Sequence, residues 1–277
     1  MQLTPTYGEA VLVAEPLLAD PATPLLHQRD RLAGILAGLD AEQWATASRC
    51  EGWSVQDVIA HLITTNQFWT FSIGAGLAGE PTSFLATFDP VASPAEMVAA
   101  VRSTSTADTL DQFVATNAAL ADVIATIAPE QWALPAEAPP GHLAIALVAQ
   151  HALWDSWVHE RDIVLPLGLE PVVEPDEVAA CLSYAVALSP SFAANLGSDR
   201  RGAIELRATD PDLRVVVETG ARVVLHDGLA PDDPIVITGD AVDLLEAFSF
   251  RAPFPTPLAA EDRWILGGLA EVFDTTV

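Results

Sequence analysis

The sequence predicts an α+β protein in which a helical N-terminal half precedes a smaller half built on an antiparallel sheet. Two observations support this fold class. Apolar residues recur three and four positions apart from Pro24 to Ile163, and short β-rich runs cluster between Ala203 and Thr238. The 277 residues are 51% apolar, which is enough to bury two cores. We therefore expect a helix bundle over residues 20–170 and an α+β domain over residues 171–277.

Four helical segments are predicted in the N-terminal half, a number that suits a helix bundle. The second has the clearest start, because Ser54 is a good N-cap and Asp57 stands at the reciprocal capping position. The third is either one long helix or two shorter ones, and the proline-rich stretch Trp132–Gly141 is expected to be irregular. The segments run from about Pro24 to Leu39, Ser54 to Gly79, Ala95 to Ile127 and His142 to Ile163.

The C-terminal half changes from helical to β-rich patterning. A helix is predicted from Asp176 to Leu196, and two more follow the β-rich runs, over Ala241–Phe250 and Leu258–Phe273. The β-rich runs are close together and separated by turn residues, so they should pair as neighbours in one small sheet. These runs are Ala203–Ala208, Leu213–Glu218, Arg222–His226 and Ile235–Thr238.

The charge of the chain excludes several classes of partner and chemistry. Acidic residues outnumber basic ones 38 to 12, so the formal net charge is −26. This charge repels phosphate backbones and anionic lipids, and neither nucleic acid nor membrane partners are expected. All basic residues are arginine. Schiff-base chemistry and a lysine general base are therefore excluded.

The cysteine count and the N-terminus favour a cytoplasmic protein. Only Cys50 and Cys181 are present, too few for a disulfide framework or a thiolate zinc site, and each is expected to be a packing residue. No basic start followed by an apolar core marks a signal peptide, and the apolar run Leu143–Trp154 is interrupted by polar residues. We expect neither a leader nor a membrane span.

Three polar side chains of the bundle form a candidate metal site. Asp155 and His159 are four residues apart and therefore share one face of the fourth helix. His61 lies on the face of the second helix that also carries Val58 and Phe68, and it should point into the bundle. Two imidazoles and a carboxylate are typical of catalytic zinc and of non-haem iron, both with open coordination positions. The same spacing also occurs in solvated surface pairs.

Further polar residues stand near this trio in the sequence. His151 precedes Asp155 by four residues and offers a rival half-site, although packing or outer-shell support is the favoured interpretation. Asp162 follows His159 by three and either orients its imidazole or caps a neighbouring group. His142 at the start of a predicted helix and His226 at a strand end are expected to be surface residues.

Several runs resemble the mycothiol-dependent maleylpyruvate isomerase family. The likeness covers two signatures in the N-terminal half and a weaker one in the C-terminal half, and it spans most of the chain. The runs that carry it are Leu39–Trp44, Cys50–Leu62, Trp157–Asp162, Ile237–Asp240 and Asp243–Leu245.

The resemblance implies a DinB-like four-helix bundle that holds a divalent metal, usually zinc, followed by a sterol-carrier-like α/β domain. The ligands of the family fall on His61, Asp155 and His159, with aspartate where glutamate is common. Mycothiol is the implied thiol cofactor. Arg251 stands near a family arginine that would clamp a carboxylate of the thiol or the substrate, but the glycine before it is replaced by Phe250. An exposed arginine at a helix end is the alternative.

These features predict an enzyme that activates a low-molecular-weight thiol, because coordination to a cation favours thiolate over thiol. The thiolate would add to a small electrophile, and elimination after bond rotation would give isomerisation, whereas retention of the adduct would give S-transfer. Two alternatives stay open. One is a metal-dependent hydrolase, which needs no added thiol. The other is a non-catalytic binding protein in which the polar trio is vestigial.

Overall fold

The computed structural model describes residues 3–16 and 20–273. The α+β class is confirmed, because the N-terminal half is helical and a sheet follows it. The region predicted as one or two helices after Pro94 is two. The helices of this half are α1 (Thr23–Ala37), α2 (Ala41–Ala45), α3 (Val55–Leu77), α4 (Ala92–Val101), α5 (Thr106–Ile124) and α6 (Ile145–Val164).

The start of α3 matches its sequence signature. Ser54 Oγ accepts a hydrogen bond from the amide of Asp57 at 3.2 Å, and Asp57 Oδ2 accepts one from the amide of Ser54 at 3.0 Å. The two side chains thereby satisfy backbone donors that the first helical turn leaves unpaired. This cap sets where α3 begins, and so sets which of its residues face the interior.

A buried polar network joins the four long helices α1, α3, α5 and α6. Arg29 is 1% exposed, and it donates from Nε to Asn66 Oδ1 at 2.9 Å and from Nη2 to the carbonyl of Ala152 at 3.2 Å. Asn66 in turn donates to Asn117 at 2.6 Å. Because buried polar groups lose their bonds if a helix rotates, this network holds α3 and α6 in a defined orientation.

The C-terminal half surrounds the long buried helix α7 (Pro175–Asn195). Of the described helices, α7 has the length and composition to cross a membrane, but 83% of its most apolar window is buried inside the protein. The other elements of this half are the strands β4 (Gly202–Thr209), β5 (Leu213–Thr219), β6 (Val223–His226) and β7 (Ile235–Asp240) and the helices α8 (Ala241–Phe248) and α9 (Trp264–Val272).

The sheet gains a strand that sequence reasoning did not find. Strand β1 (Leu12–Glu15) pairs in parallel with β6, and the strand order is β1-β6-β5-β4-β7. The central pairings β4–β5 and β5–β6 are antiparallel, as predicted, while β4–β7 is parallel. A four-residue strand whose partner lies some 200 residues away leaves no local pattern, so only the folded chain reveals it.

Two local predictions before α6 were wrong. The stretch expected to be irregular contains β2 (Pro135–Ala138), which pairs with β3 (Gly141–Ala144). His142 therefore lies on a strand, and it is 9% exposed rather than a surface residue. Its Nε2 is 2.8 Å from the carbonyl of Thr82, and its Nδ1 accepts a hydrogen bond from the amide of Gly8. These hydrogen bonds to residues distant in the sequence take the place of the contacts with water that we expected for the His142 ring.

The contact between α7 and α9 depends on Gly268. A Cβ atom there would collide with the backbone of Ser189 and Ala193 in α7, and backbone cannot move aside as a side-chain end can. We expect Gly268→Ala to lower the free energy of unfolding by about 2–3 kcal/mol, as for an overpacked core. Urea unfolding measures this, and Gly267→Ala is the matched control because a Cβ at Gly267 meets no atom within 4 Å. Equal stability of the two variants would contradict this packing.

Candidate metal centre

The structure brings together the three side chains that the sequence singled out. His61 projects from the first half of α3, and Asp155 and His159 project from α6. Asp155 Oδ1 lies 3.7 Å from His61 Nε2 and 3.6 Å from His159 Nε2. The three ligand atoms are all within 4.8 Å of one another. The arrangement arises because α3 packs against α6, which brings His61 on one helix close to Asp155 and His159 on the other.

The donor set fits a divalent metal ion. Ligands about 2.0–2.1 Å from zinc in tetrahedral geometry are about 3.4 Å apart, close to the separations of the two imidazole nitrogens from the Asp155 carboxylate. Asp155 Oδ2 and His61 Nδ1 are buried and have no hydrogen-bond partner among the described residues. Burial opposes ionisation of Asp155, but its interactions with His61 and His159 outweigh burial and lower its pKa. The carboxylate is therefore charged and available as a ligand.

Asp162 holds the imidazole of His159. Asp162 is fully buried, and its Oδ2 lies 3.1 Å from His159 Nδ1, which leaves Nε2 directed at Asp155. Metal-binding histidines usually have such a partner on their other nitrogen. Burial works against protonation of His159, yet the contacts with Asp162 and Cys50 raise its pKa to about 10. A metal bound at Nε2 would displace that proton.

Arg251 lies beside this centre rather than at an exposed helix end. It donates from Nε and from Nη2 to Asp162, each at 2.9 Å, and its side chain is 27% exposed. Its Nη1 has no hydrogen-bond partner in the part of the chain that the structure describes. One edge of the guanidinium is thus engaged by the protein, and Nη1 is available to a ligand.

Cys50 is a site residue that sequence reasoning missed. Its Sγ is 3.2 Å from Asp162 Oδ2 and 3.6 Å from His159 Nδ1, so it is not simply a packing residue. These three residues form a second group of converging ligand atoms. Cys50 precedes α3 by a few residues, and no spacing rule connects it to α6. By contrast, Cys181 is fully buried within α7, as a packing residue would be.

His151 does not join the trio. Its Nδ1 lies 2.6 Å from the hydroxyl of Tyr184, and its ring contacts Trp69 and Trp154. The groups of converging ligand atoms found among the described residues do not include it. The rival half-site with Asp155 is therefore not formed, and His151 instead belongs to an aromatic cluster next to the centre.

The C-terminal half is tied to the centre by ion pairs. Glu246 on α8 accepts hydrogen bonds from Arg49 Nη2 at 2.5 Å and from Arg161 Nε at 2.6 Å. Trp154 on α6 also donates from Nε1 to Ser249 at 2.9 Å. These contacts position the segment after α8, which carries Arg251, against the residues of the metal centre.

Sequence comparison identifies the family. The model of the mycothiol maleylpyruvate isomerase N-terminal domain matches residues 25–164, about half of the chain. The chain belongs to this family. The matched region contains His61, Asp155 and His159, and Arg251 lies outside it. Comparison with curated proteins finds no significant match.

The fold of this family member is similar to that of solved relatives. Crystal structures of a mycothiol-dependent maleylpyruvate isomerase and of its histidine-to-alanine mutant each match with a TM-score of 0.59. Each match covers 86% of this chain and 95% of the other chain, at 14% sequence identity. The similarity therefore extends beyond the N-terminal domain to the C-terminal half, and it concerns the fold.

A cavity of about 620 Å³ lies next to the candidate metal centre. His61, Asp155 and His159 line it from the N-terminal half, and Ser249 and Arg251 line it from the C-terminal half. Its volume is typical of small-molecule sites, which measure roughly 300–1,000 Å³. The arrangement allows a ligand to reach the open side of the centre while it contacts both halves of the chain.

The buried His151 should make the protein sensitive to acid. Burial lowers the pKa of His151 from 6.5 to about 4, although the charge of Asp155 acts in the opposite direction. The unfolded chain therefore binds this proton at a higher pH than the folded chain does. The stabilisation is complete above pH 6.5 and is lost as the pH falls towards 4, by about 3 kcal/mol at most.

We expect His151→Gln to remove this part of the acid destabilisation. The free energy of unfolding of the variant should fall less than that of the wild type between pH 6.5 and 4, as measured by urea unfolding at several pH values. His27→Gln, on the exposed face of α1, is the control that changes the same residue type. An identical pH slope in His151→Gln and the wild type would count against the burial argument.

Proposed function

We propose that this family member is a metal-dependent enzyme that activates a low-molecular-weight thiol for isomerisation or S-transfer on a small electrophile. The observation that supports the proposal is the convergence of His61 Nε2, Asp155 Oδ1 and His159 Nε2 beside a cavity. Three protein ligands leave a coordination position open, as in catalytic rather than structural zinc sites. The donor set suits zinc or non-haem iron. Zinc is the metal, and mycothiol the thiol, that family membership favours.

Each residue of the site has a defined part in this proposal. His61, Asp155 and His159 would hold the metal, which when bound stabilises the thiolate form of a thiol at neutral pH. Asp162 keeps His159 in the tautomer and orientation that present Nε2 to the centre. The Nη1 group of Arg251 is placed to bind a carboxylate of the substrate.

Two further parts of the proposal are the domain organisation of the chain and the cellular compartment in which the protein works. We propose that the units over residues 20–170 and 171–277 act together, because residues of both line the cavity. We also propose that the protein works in the cytoplasm, where a reducing environment preserves a thiol cofactor and the free thiols of Cys50 and Cys181. The DinB-like character of the helix bundle stays a prediction.

The first test is elemental analysis of the purified protein, followed by an assay with and without added mycothiol. We expect about one equivalent of divalent metal. We also expect conversion of an electrophile such as maleylpyruvate to require both the metal and the thiol, with chelator-treated protein regaining activity when zinc returns. Conversion without thiol would replace the proposal with metal-dependent hydrolysis. Protein that contains no metal and cannot be loaded would favour a binding protein.

A further inference from the structure

We infer that Trp69 and His151 form a pair of neutral hydrogen-bond donors that binds the substrate oxygen on which negative charge develops when a thiolate adds. This inference rests on the proposed function, since it assigns two further residues to the same reaction. The argument depends on the unpaired N–H groups in the cavity wall, on their position relative to the candidate metal centre, and on their lack of charge.

The indole N–H of Trp69 is a buried donor without a partner. Trp69 lines the cavity and is 3% exposed, and its Nε1 has no hydrogen-bond partner among the described residues. By contrast, Trp154 on the same wall donates its Nε1 to Ser249. An unpaired buried donor destabilises the folded protein, and a ligand oxygen that accepts its hydrogen bond relieves this cost.

The imidazole of His151 supplies the second donor. Within the described chain, the hydroxyl of the fully buried Tyr184 has a single hydrogen-bond contact, at 2.6 Å to His151 Nδ1. A buried hydroxyl proton needs an acceptor, so Tyr184 donates to Nδ1, and the proton of the neutral imidazole is on Nε2. Burial lowers the pKa of His151 to about 4, so the ring is neutral at pH 7. Because His151 lines the cavity, Nε2–H is available to a ligand.

The two donors lie beside the candidate metal centre, on the same pair of helices. His151 precedes Asp155 by one turn of α6, which is about 6 Å along the helix axis. The rings of Trp69 and His151 are 5.1 Å apart between centroids, and those of His61 and His159 are 5.0 Å apart. Each contact joins α3 to α6, and all five side chains line one cavity. A small substrate can therefore reach the donors and the centre at the same time.

The lack of charge on the two donors indicates what they bind. The candidate metal centre and Nη1 of Arg251 supply positive charge for a thiolate and for substrate carboxylates. A neutral N–H group binds an uncharged carbonyl oxygen modestly, and the hydrogen bond strengthens as negative charge accumulates on that oxygen. Trp69 and His151 therefore stabilise the transition state more than the bound substrate, which is the condition for catalysis.

The addition step places negative charge on one oxygen of a conjugated carbonyl compound. The thiolate forms a C–S bond with the β-carbon, and the π electrons move through the α-carbon onto the carbonyl oxygen, which gives an enolate. Rotation about the former double bond and return of the electrons expel the thiolate, and the product is the other geometrical isomer. The step needs neither an oxidant nor a reductant. Donors placed at the enolate oxygen lower the barriers to its formation and its collapse.

Calorimetric titration of the purified protein without thiol tests the pair. The probe is 4-nitrophenolate, at a pH where the phenol is ionised, and nitrobenzene is the same ring without the anionic oxygen. Trp69→Phe removes the N–H and keeps an aromatic ring. We expect the ratio of the two affinities to fall at least about tenfold, because a hydrogen bond to a charged group has this effect. Trp44→Phe is the matched control, since Trp44 is 4% exposed and outside the cavity lining, and its ratio should not change.

A double variant tests the contribution of His151. His151→Leu combined with Tyr184→Phe removes the donor and its buried partner together, so neither leaves the other unpaired, and the ratio should again fall about tenfold. His151→Gln should retain most of the ratio, because its amide can accept from Tyr184 and donate to the ligand. An unchanged ratio in either Trp69→Phe or the double variant would overturn the inference, and so would an equal fall in Trp44→Phe.

An assay with mycothiol separates this inference from the proposed function. We expect Trp69→Phe to lower kcat roughly 100-fold at unchanged metal content, as the loss of one oxyanion donor does in other enzymes. If the affinity ratios change as expected but the wild type shows no thiol-dependent conversion, the proposed function fails and the oxyanion-binding pair stands. If conversion needs thiol and metal but Trp69→Phe changes neither the ratio nor kcat, the inference fails and the proposed function stands.

Discussion

Asp155→Asn is expected to remove the bound metal and with it the thiol-dependent activity. The amide is nearly the same size as the carboxylate but carries no charge, so it cannot offset a divalent cation between two imidazoles. The loss of activity should exceed the roughly 10–100-fold change that follows removal of an outer-shell partner. Elemental analysis and the mycothiol-dependent assay measure the two effects. His61→Ala and His159→Ala should have the same result.

The matched control is Asp122→Asn, which removes one carboxylate from an exposed position on α5. This variant has the same net charge as Asp155→Asn, and we expect full metal content and activity. If Asp155→Asn, His61→Ala and His159→Ala all kept metal and activity, the assignment of the ligands would be wrong.

Asp162→Asn is expected to weaken metal binding and to destabilise the fold. Asp162 is fully buried and accepts hydrogen bonds from Arg251, and Arg49 Nε lies 3.4 Å away. Without the carboxylate, two guanidinium groups lose their buried partner, which costs about 3–5 kcal/mol of the free energy of unfolding. His159 also loses the acceptor that orients it, so metal affinity should fall roughly 10–100-fold. Chelator competition and urea unfolding measure these quantities.

Glu205→Gln separates the two consequences of Asp162→Asn. Glu205 is also buried and paired with two arginines, Arg207 at 2.8 Å and Arg214 at 2.7 Å, but it lies on β4 within the sheet. We expect this substitution to leave metal affinity unchanged. A similar loss of affinity in both variants would show that the effect of Asp162→Asn arises from general destabilisation and not from its contact with His159.

Local patterns in the sequence were sufficient to predict the two helices that carry the candidate ligands. The capping pair Ser54 and Asp57 set the start of α3, because both partners are within one helical turn. The spacing of Asp155 and His159 required only the period of a helix to place both on one face. That they bind a metal stays a proposal, since the structure shows convergence and the family match shows ancestry.

Other parts of the site depend on contacts between residues that are far apart in the chain. Cys50 and Arg251 contact Asp162, from which they are 112 and 89 residues away in the chain. Cys50 was expected only to be a packing residue, and Arg251 either to bind a carboxylate or to be exposed at a helix end. His142 was wrongly expected at the surface because its partners Thr82 and Gly8 lie on distant segments. No periodicity relates such residues, so their burial could not be inferred.

The sequence by itself determined the fold class, the family, the start of α3 and the pairing of Asp155 with His159 on one helical face. These features rest on short-range physics, since helix period, capping and apolar patterning operate within a few residues. Only the tertiary structure showed that β1 pairs with β6 in the sheet, that Arg251 donates hydrogen bonds to Asp162, and that aromatic side chains line the cavity. These features depend on packing between segments that are distant in the sequence. Their relative positions are fixed by the buried network around Arg29 and by the ion pairs of Glu246, which exist only in the folded chain.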